Sequence, residues 1–182
     1  MMKSAFFLSL IALAYSTQAL AAFPEALNTA TYSFSASDGT TGTLVETIAS
    51  IAPATDATDT TGGQASLTVA LNGVVDPSQN STVAVNDLKA MTTLVANCAA
   101  AADPTNGVTS TLEPGIQVPY GTFDSCHISF ADTANNAQID TWYGKVPFGV
   151  LKQSVVYTTT GADGSSAKMT QTTQLTGTNT SL

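Results

Sequence analysis

IQVPYGTFDSCHISF (Ile116 to Phe130), a short polar interval, then IDTWYGKVPFGVLK (Ile139 to Lys152) is the stretch that decides the fold. It holds the only Trp, the only His and one of the two Cys of the chain. From Thr122 to Phe130, Cys126, Ile128 and Phe130 alternate with Ser125, His127 and Ser129. That period of two is the mark of a strand with one face buried. Pro119-Tyr120-Gly121 and Gly144-Lys145-Val146-Pro147-Phe148 break the pattern at two corners, where proline cannot continue a ladder and glycine eases the turn. Gln138 to Tyr143 and Gly149 to Thr159 read as strands on either side of the second corner.

Upstream the same grammar continues. Ala30, Tyr32, Phe34 and Ala36 share one face of a strand over Thr29 to Ala36. Asp38-Gly39 then signals a hairpin, with Thr43 to Ile51 as the returning strand. Pro53 to Gly63 is a polar loop. Ala65 to Leu71 turns Leu67, Val69 and Leu71 inward and stops at Asn72-Gly73. A loop over Asp76 to Asn80 precedes a short strand at Thr82 to Val85. The next segment is ambiguous: Leu88, Met91, Leu94 and Val95 have helical spacing behind Asn86 or Asp87, whereas Thr92-Thr93-Leu94-Val95 favours a strand. The reading adopted is a turn at Asn86-Asp87 and a strand ending at Cys98, with a short helix as the alternative. Ala99 to Glu113 reads as a long surface loop. Downstream, Asn135-Asn136 makes a turn, Gly161 to Gly164 closes the last hairpin, Ala167 to Leu175 is the last strand, and Gly177 onward frays.

The sum is a single-domain, all-β curved antiparallel sheet of about eight or nine strands. It would close as a half-barrel, a barrel or a sandwich. Parallel α/β folds are excluded, because the pattern supplies no crossover helices.

Residues 1–21 read as a cleaved signal peptide, with Lys3, an apolar run from Ala5 to Ala14, and an Ala19-Leu20-Ala21 site. The run is too short to span a bilayer, so stable membrane insertion is not expected. Residues 22–182 then form one exported domain, soluble in the periplasm or outside the cell, with roughly 160 residues to build its core. Its two cysteines, Cys98 and Cys126, pair most simply as one disulfide. Thirteen acidic residues face five Lys and no Arg, which excludes nucleic acid as a partner and disfavours an anionic membrane surface. The acids are spread singly, a pattern of solubility. Asp56 and Asp59 lack the ligand spacing of a calcium loop, and one His with two Cys cannot make a zinc site. No metal and no cofactor is expected.

Val118-Pro119-Tyr120-Gly121-Thr122-Phe123 followed by Cys126 resembles the V-P-A-G-T-F-x-x-C segment of certain exported bacterial proteins. Thr141-Trp142-Tyr143 with Val146-Pro147-Phe148-Gly149-Val150-Leu151-Lys152 resembles the W-Y/F-x-x-x-V-P-x-G-x-x-K segment that follows it in them. The resemblance covers roughly residues 92 to 158. It departs at Tyr120, where a small residue is usual, and in the Ala-rich segment after Cys98. It implies the curved sheet of lipoprotein-carrier-like half-barrels, and it implies no catalytic residues.

Asp124-Ser125-Cys126-His127 is where nucleophile, acid and base types cluster. Ser125 and His127 sit two apart on one strand face, a poor placement for an activating hydrogen bond, and Asp140 or Asp132 would have to orient the ring. The preferred reading is a solvent-facing His. Trp142, Tyr143, Val146 and Phe148 are read either as core or as the mouth of a concave sheet that accepts an apolar ligand. The expectation is thus a non-enzymatic protein that binds an apolar small molecule or a protein partner. A structural or surface-interaction protein is the second reading and a hydrolase the third.

Overall fold

The computed structural model describes residues 24–56, 58–160 and 165–179. The expected signal peptide and the expected hairpin turn at residues 161–164 lie outside them. The strands are β1 (Thr29–Ala36), β2 (Thr41–Ala52), β3 (Gln64–Leu71), β4 (Val74–Val75), β5 (Ser81–Ala84), β6 (Thr109–Val118), β7 (Gly121–Asp132), β8 (Ala137–Gly144), β9 (Val150–Thr160) and β10 (Ser166–Thr178). They form one sheet in the order β4-β3-β2-β1-β10-β9-β8-β7-β6, and β5 pairs with β3 beside β4. Every pairing is antiparallel. Two meanders, β1 to β5 and β6 to β10, are therefore joined side by side through the first and last strands. The sheet has free edges and does not close, so of the three architectures expected it is the half-barrel.

The period of two places the core. On β1, Ala30, Tyr32 and Phe34 are buried, and on β2 so are Leu44, Glu46 and Ile48. Leu71, Leu44, Tyr32 and Leu175 make one cross-strand row on this inner face. The sheet curls toward it. Tyr143 of β8 reaches the neighbourhood of Tyr32, three strands away in the sheet order. At the β6–β7 corner, Tyr120 N–H donates to the Leu175 carbonyl (3.2 Å), which folds that corner onto β10.

Residues 85–101 differ from the adopted reading. They form α1 (Val85–Thr93) followed by a 3-10 segment at Leu94–Ala101, so the helical alternative is the one observed. Strand propensity at Thr92-Thr93 is overridden because both hydroxyls bond back along the helix, to the Lys89 and Ala90 carbonyls at 2.8 and 2.9 Å. The long loop is shorter than expected: a 3-10 turn at Pro104–Asn106 leads into β6 at Thr109. The carboxy end is also more ordered than the sequence suggests. Asn179 ties it to the first strand, accepting from Thr29 N–H (2.7 Å) and donating to the Leu27 carbonyl (2.8 Å).

Two clusters of buried side chains result. The main one joins both meanders with Val85 and Leu88 of α1 and with Val146 and Phe148. A smaller one gathers Leu94, Cys98, Ala101, Val108, Cys126 and Ile128. Cys98 and Cys126 are bonded, with their Cα atoms 5.3 Å apart, as the two-cysteine count implied.

Candidate functional site

The inner face is roofed by one strap of chain and one corner. At the start of the strap the usual side-chain cap is absent. The orphan amides of Val85 and Asn86 donate instead to the Gly63 and Thr61 carbonyls, at 3.0 and 2.9 Å, in the loop after β2. Asn86 Nδ2 adds a bond to the Thr60 carbonyl (2.8 Å). At the far end the disulfide fixes the 3-10 segment to β7, and Ser110 Oγ donates to the Cys98 carbonyl (2.6 Å). Between the anchors, α1 rests against Gly149, whose φ is +75°. A Cβ built there would stand 2.8 Å from the Met91 Cβ and 2.9 Å from the Met91 carbonyl. Only glycine allows the helix this close to the corner.

The corner holds itself together. Gly144 N–H donates to the Gly149 carbonyl (2.7 Å) and Gly149 N–H to the Val146 carbonyl (2.9 Å). Phe148 takes a positive φ of 63°, a conformation that costs an L-residue energy and that burial must offset. Phe148 and Val146 are each 3% exposed.

The inner face also holds a carboxyl where alternation alone would have placed an apolar residue. Glu46 sits between Leu44 and Ile48 on the inner face of β2 and is 7% exposed. Burial pushes its pKa from 4.5 up to about 7, offset in part by the Tyr32 phenol beside it. The Tyr32 hydroxyl itself meets hydrogen-bond geometry with no group. Burial first, and then the Glu46 carboxyl, holds Tyr32 in its neutral form. Tyr143 completes the group; burial pushes its phenol up to about 12. Among the described residues no cation pairs with Glu46.

The outer face is organised by a different cluster. Thr111, His127, Trp142, Lys152, Gln174, Ser33 and Thr43 lie in register across seven strands. The His127 and Trp142 rings stack with centroids 4.3 Å apart and planes 5° from parallel. From the neighbouring strand, Lys152 Nζ sits 4.6 Å from the indole centroid. Glu113 binds both rings at once: Oε2 accepts from Trp142 Nε1 (2.7 Å), and Oε1 lies 2.9 Å from His127 Nδ1. Asp140 Oδ1 lies 3.0 Å from His127 Nε2.

The four expected site residues therefore divide. Tyr143, Val146 and Phe148 belong to the covered inner face, and Trp142 is half-buried in the outer row with its rim against the main core. Ser125 is fully buried, and its hydroxyl donates to the Glu113 carbonyl (3.1 Å). Asp140 does meet His127, but both ring nitrogens are engaged by carboxylates and Ser125 points its proton elsewhere. Sequence reasoning passed over Glu46, although its place in the Leu44-x-Glu46-x-Ile48 alternation marks it.

The singly spread aspartates have a role beyond solubility. Asp38, Asp56, Asp59, Asp76, Asp103 and Asp132 each accept the backbone N–H two residues on, from Thr40, Thr58, Thr61, Ser78, Thr105 and Ala134. Each is the turn that short acidic side chains favour. Hydrogen bonds from these turns hold all six carboxyls below the usual range. Asp56 and Asp59 are thus turn residues, and among the described residues no group of three His, Cys, Asp or Glu is placed to hold a metal. A shallow groove of about 450 Å³ where β1, β2 and β10 meet is lined by Ser33, Ser35, Thr41, Thr43, Thr172 and Gln174 beside Phe34 and Gly42, with no charged group. Among the described residues no helix is long and apolar enough to cross a membrane.

No family model and no curated relative matches the chain. Among solved structures it is similar to MucB, with a TM-score of 0.38 and 11% identity over 87% of this chain. The match spans 54% of the MucB chain, so this protein corresponds to about half of that length.

Proposed function

We propose that the chain is an exported, non-enzymatic β protein that takes an apolar small molecule, or an apolar segment of a protein partner, on the inner face of its half-barrel. The observation that carries this reading is the manner of covering. Among the described residues a large apolar face is closed by one nine-residue helix, the 3-10 segment that continues it and one corner, with no second sheet over it. A cover of that size can move away without dismantling the sheet, and local opening draws on such lightly held segments. The disulfide suits an oxidising compartment, which agrees with export to the periplasm or the outside. The motif resemblance to lipoprotein-carrier-like half-barrels points the same way. The engaged nitrogens of His127 and the buried hydroxyl of Ser125 argue against the hydrolase reading.

In this reading Tyr143, Val146 and Phe148 contact the ligand once the strap has moved, and Trp142 braces the sheet behind them. Trp142 fluorescence is then a poor reporter, because the indole is clasped by His127 and Lys152 on the other face. The test is native mass spectrometry of the protein purified from its own cells. It is paired with calorimetric titration by a long-chain fatty acid below its micelle point. A co-purifying apolar adduct or saturable one-to-one binding is expected. Protein that carries no adduct and gives no saturable heat overturns the proposal for small molecules and leaves the protein-partner form to a pull-down from the same cells.

A further inference from the structure

We propose that the shallow groove on the outer face, where β10, β1 and β2 meet, is a binding site for a neutral glycan. The inference goes beyond the reading above and rests on the opposite face of the sheet.

The site is built by register. Thr43, Ser33 and Gln174 form one cross-strand row, and Thr41, Ser35 and Thr172 form the next, all on the outer parity. A sheet that curls toward its inner face is convex outside, so a hollow of about 450 Å³ there does not come from curvature. It comes from short side chains set beside one another, and its size lies in the range of small-molecule sites. The floor is firm. The Phe34 ring packs against Gly42 from the inner side, where a Cβ would collide with it.

The lining chemistry selects the ligand. Among the described residues, none of these six polar side chains takes part in a hydrogen bond within the protein. The other end of the same face is satisfied internally: Glu113, His127, Asp140 and Trp142 engage one another, and Gln138 Nε2 donates to Ser129 Oγ (2.7 Å). Five hydroxyls and a carboxamide, each able to donate and to accept, are thus left facing one hollow. Its three threonines set a methyl beside the hydroxyl. A sugar ring matches such a lining, with hydroxyls around its rim and C–H groups on its faces. Other ligands match it poorly. No charged group lines the groove, and the next residue in the row, Lys152, holds its Nζ over Trp142. An anion would also meet a chain of net charge −8. A protein partner anchors on exposed aromatic or apolar side chains, and the large apolar residue here, Phe34, is 8% exposed.

A free oligosaccharide and a chain displayed on an insoluble polymer present the same rings, and the test separates them. Maltohexaose, cellohexaose, mannohexaose and chitohexaose are titrated by calorimetry and saturation-transfer NMR into the exported chain with its disulfide intact. Retention on starch, cellulose, mannan and chitin is measured alongside. Saturable binding of a hexamer assigns a free saccharide, and retention on a polymer whose hexamer does not bind assigns a displayed chain. The pair Ser33→Ala and Gln174→Ala should weaken binding about tenfold or more, the loss expected from removing two hydrogen bonds. Ser35→Tyr, which fills the hollow from an exposed position, should abolish it, and thermal melts check that both variants fold. Thr111→Val, in the same row at the far edge, should leave binding unchanged. Two results overturn the proposal: no binding of any hexamer with no retention on any polymer, or binding that survives both groove variants. Fatty-acid binding should be the same in the groove variants as in the wild type, so this site and the inner-face reading can fail separately.

Discussion

Glu46 and Glu113 are both held by the same curved sheet, and their fates are opposite. Glu113, on the outer face, accepts from an indole, contacts an imidazole and remains 42% exposed at its side chain. Glu46, on the inner face, has one phenol beside it and no cation. The outer carboxylate binds three strands together through partners of opposite polarity. The inner one interrupts an apolar row, and burial raises its pKa. Chemically identical side chains thus meet opposite surroundings, decided by which parity of a strand they occupy.

The contrast can be broken most forcefully from the inner side. Phe148→Ala removes the aromatic plug beside the strap and should cost about 3–5 kcal/mol, the range for emptying a buried aromatic site. Urea unfolding would measure it, and a loss under about 1 kcal/mol would mean the roof is not part of the core. Cys126→Ser unties the strap from β7 and should cost about 2–5 kcal/mol. A free-thiol titration of unfolded, unreduced wild-type protein should find none.

Glu46→Gln sharpens the comparison. Because the folded pKa is raised from 4.5 to about 7, the native state holds a proton that the unfolded state has lost between those values. Stability should therefore fall as pH climbs from about 4.5 to 7, by roughly 3 kcal/mol in all. The Gln variant should be flat across that window and the more stable protein above pH 7. The six turn aspartates act in the other direction. Their lowered pKa values confer stability above the ordinary carboxylate range, and it fades as pH falls below it. Thermal melts of the wild type from pH 2.5 to 8 should rise and then decline, and the variant should keep only the rise.

The smallest effect is expected on the outer side. Glu113→Gln keeps an acceptor for the indole and should cost about 1 kcal/mol or less, since partly exposed pairs contribute little. Its signature is a shift in Trp142 emission. A large loss of stability there would overturn the view that the outer cluster only braces the sheet.

Much of this was legible in the residues themselves. Tyr32, Phe34, Leu44 and Ile48 on the inner face, and the turns at Asp38-Gly39 and Asn72-Gly73, follow from alternation and turn chemistry, both of which are local. Glu46 was legible too, as a charge at an apolar parity. The helix was not, because its amino end is satisfied by carbonyls from the loop at Thr60 to Gly63 and its threonines by their own helix. Of the Glu113–His127–Asp140 arrangement, the Asp140 contact was legible and the Glu113 one was not. The Glu113 contact depends on the register of two hairpins and on an irregularity between Glu113 and Ile116, where Pro114-Gly115, with φ +70° at Gly115, marks the break.

The strap is anchored at both ends: its amino end runs on from β5, which pairs with β3, and is pinned by three hydrogen bonds, while its far end is fixed to β7 by the disulfide. A segment so leashed cannot diffuse off; in the proposed opening its middle would lift, with its local concentration over the face it left still in the millimolar range typical of short tethers. Reclosure would then be a unimolecular event, independent of how dilute the protein is.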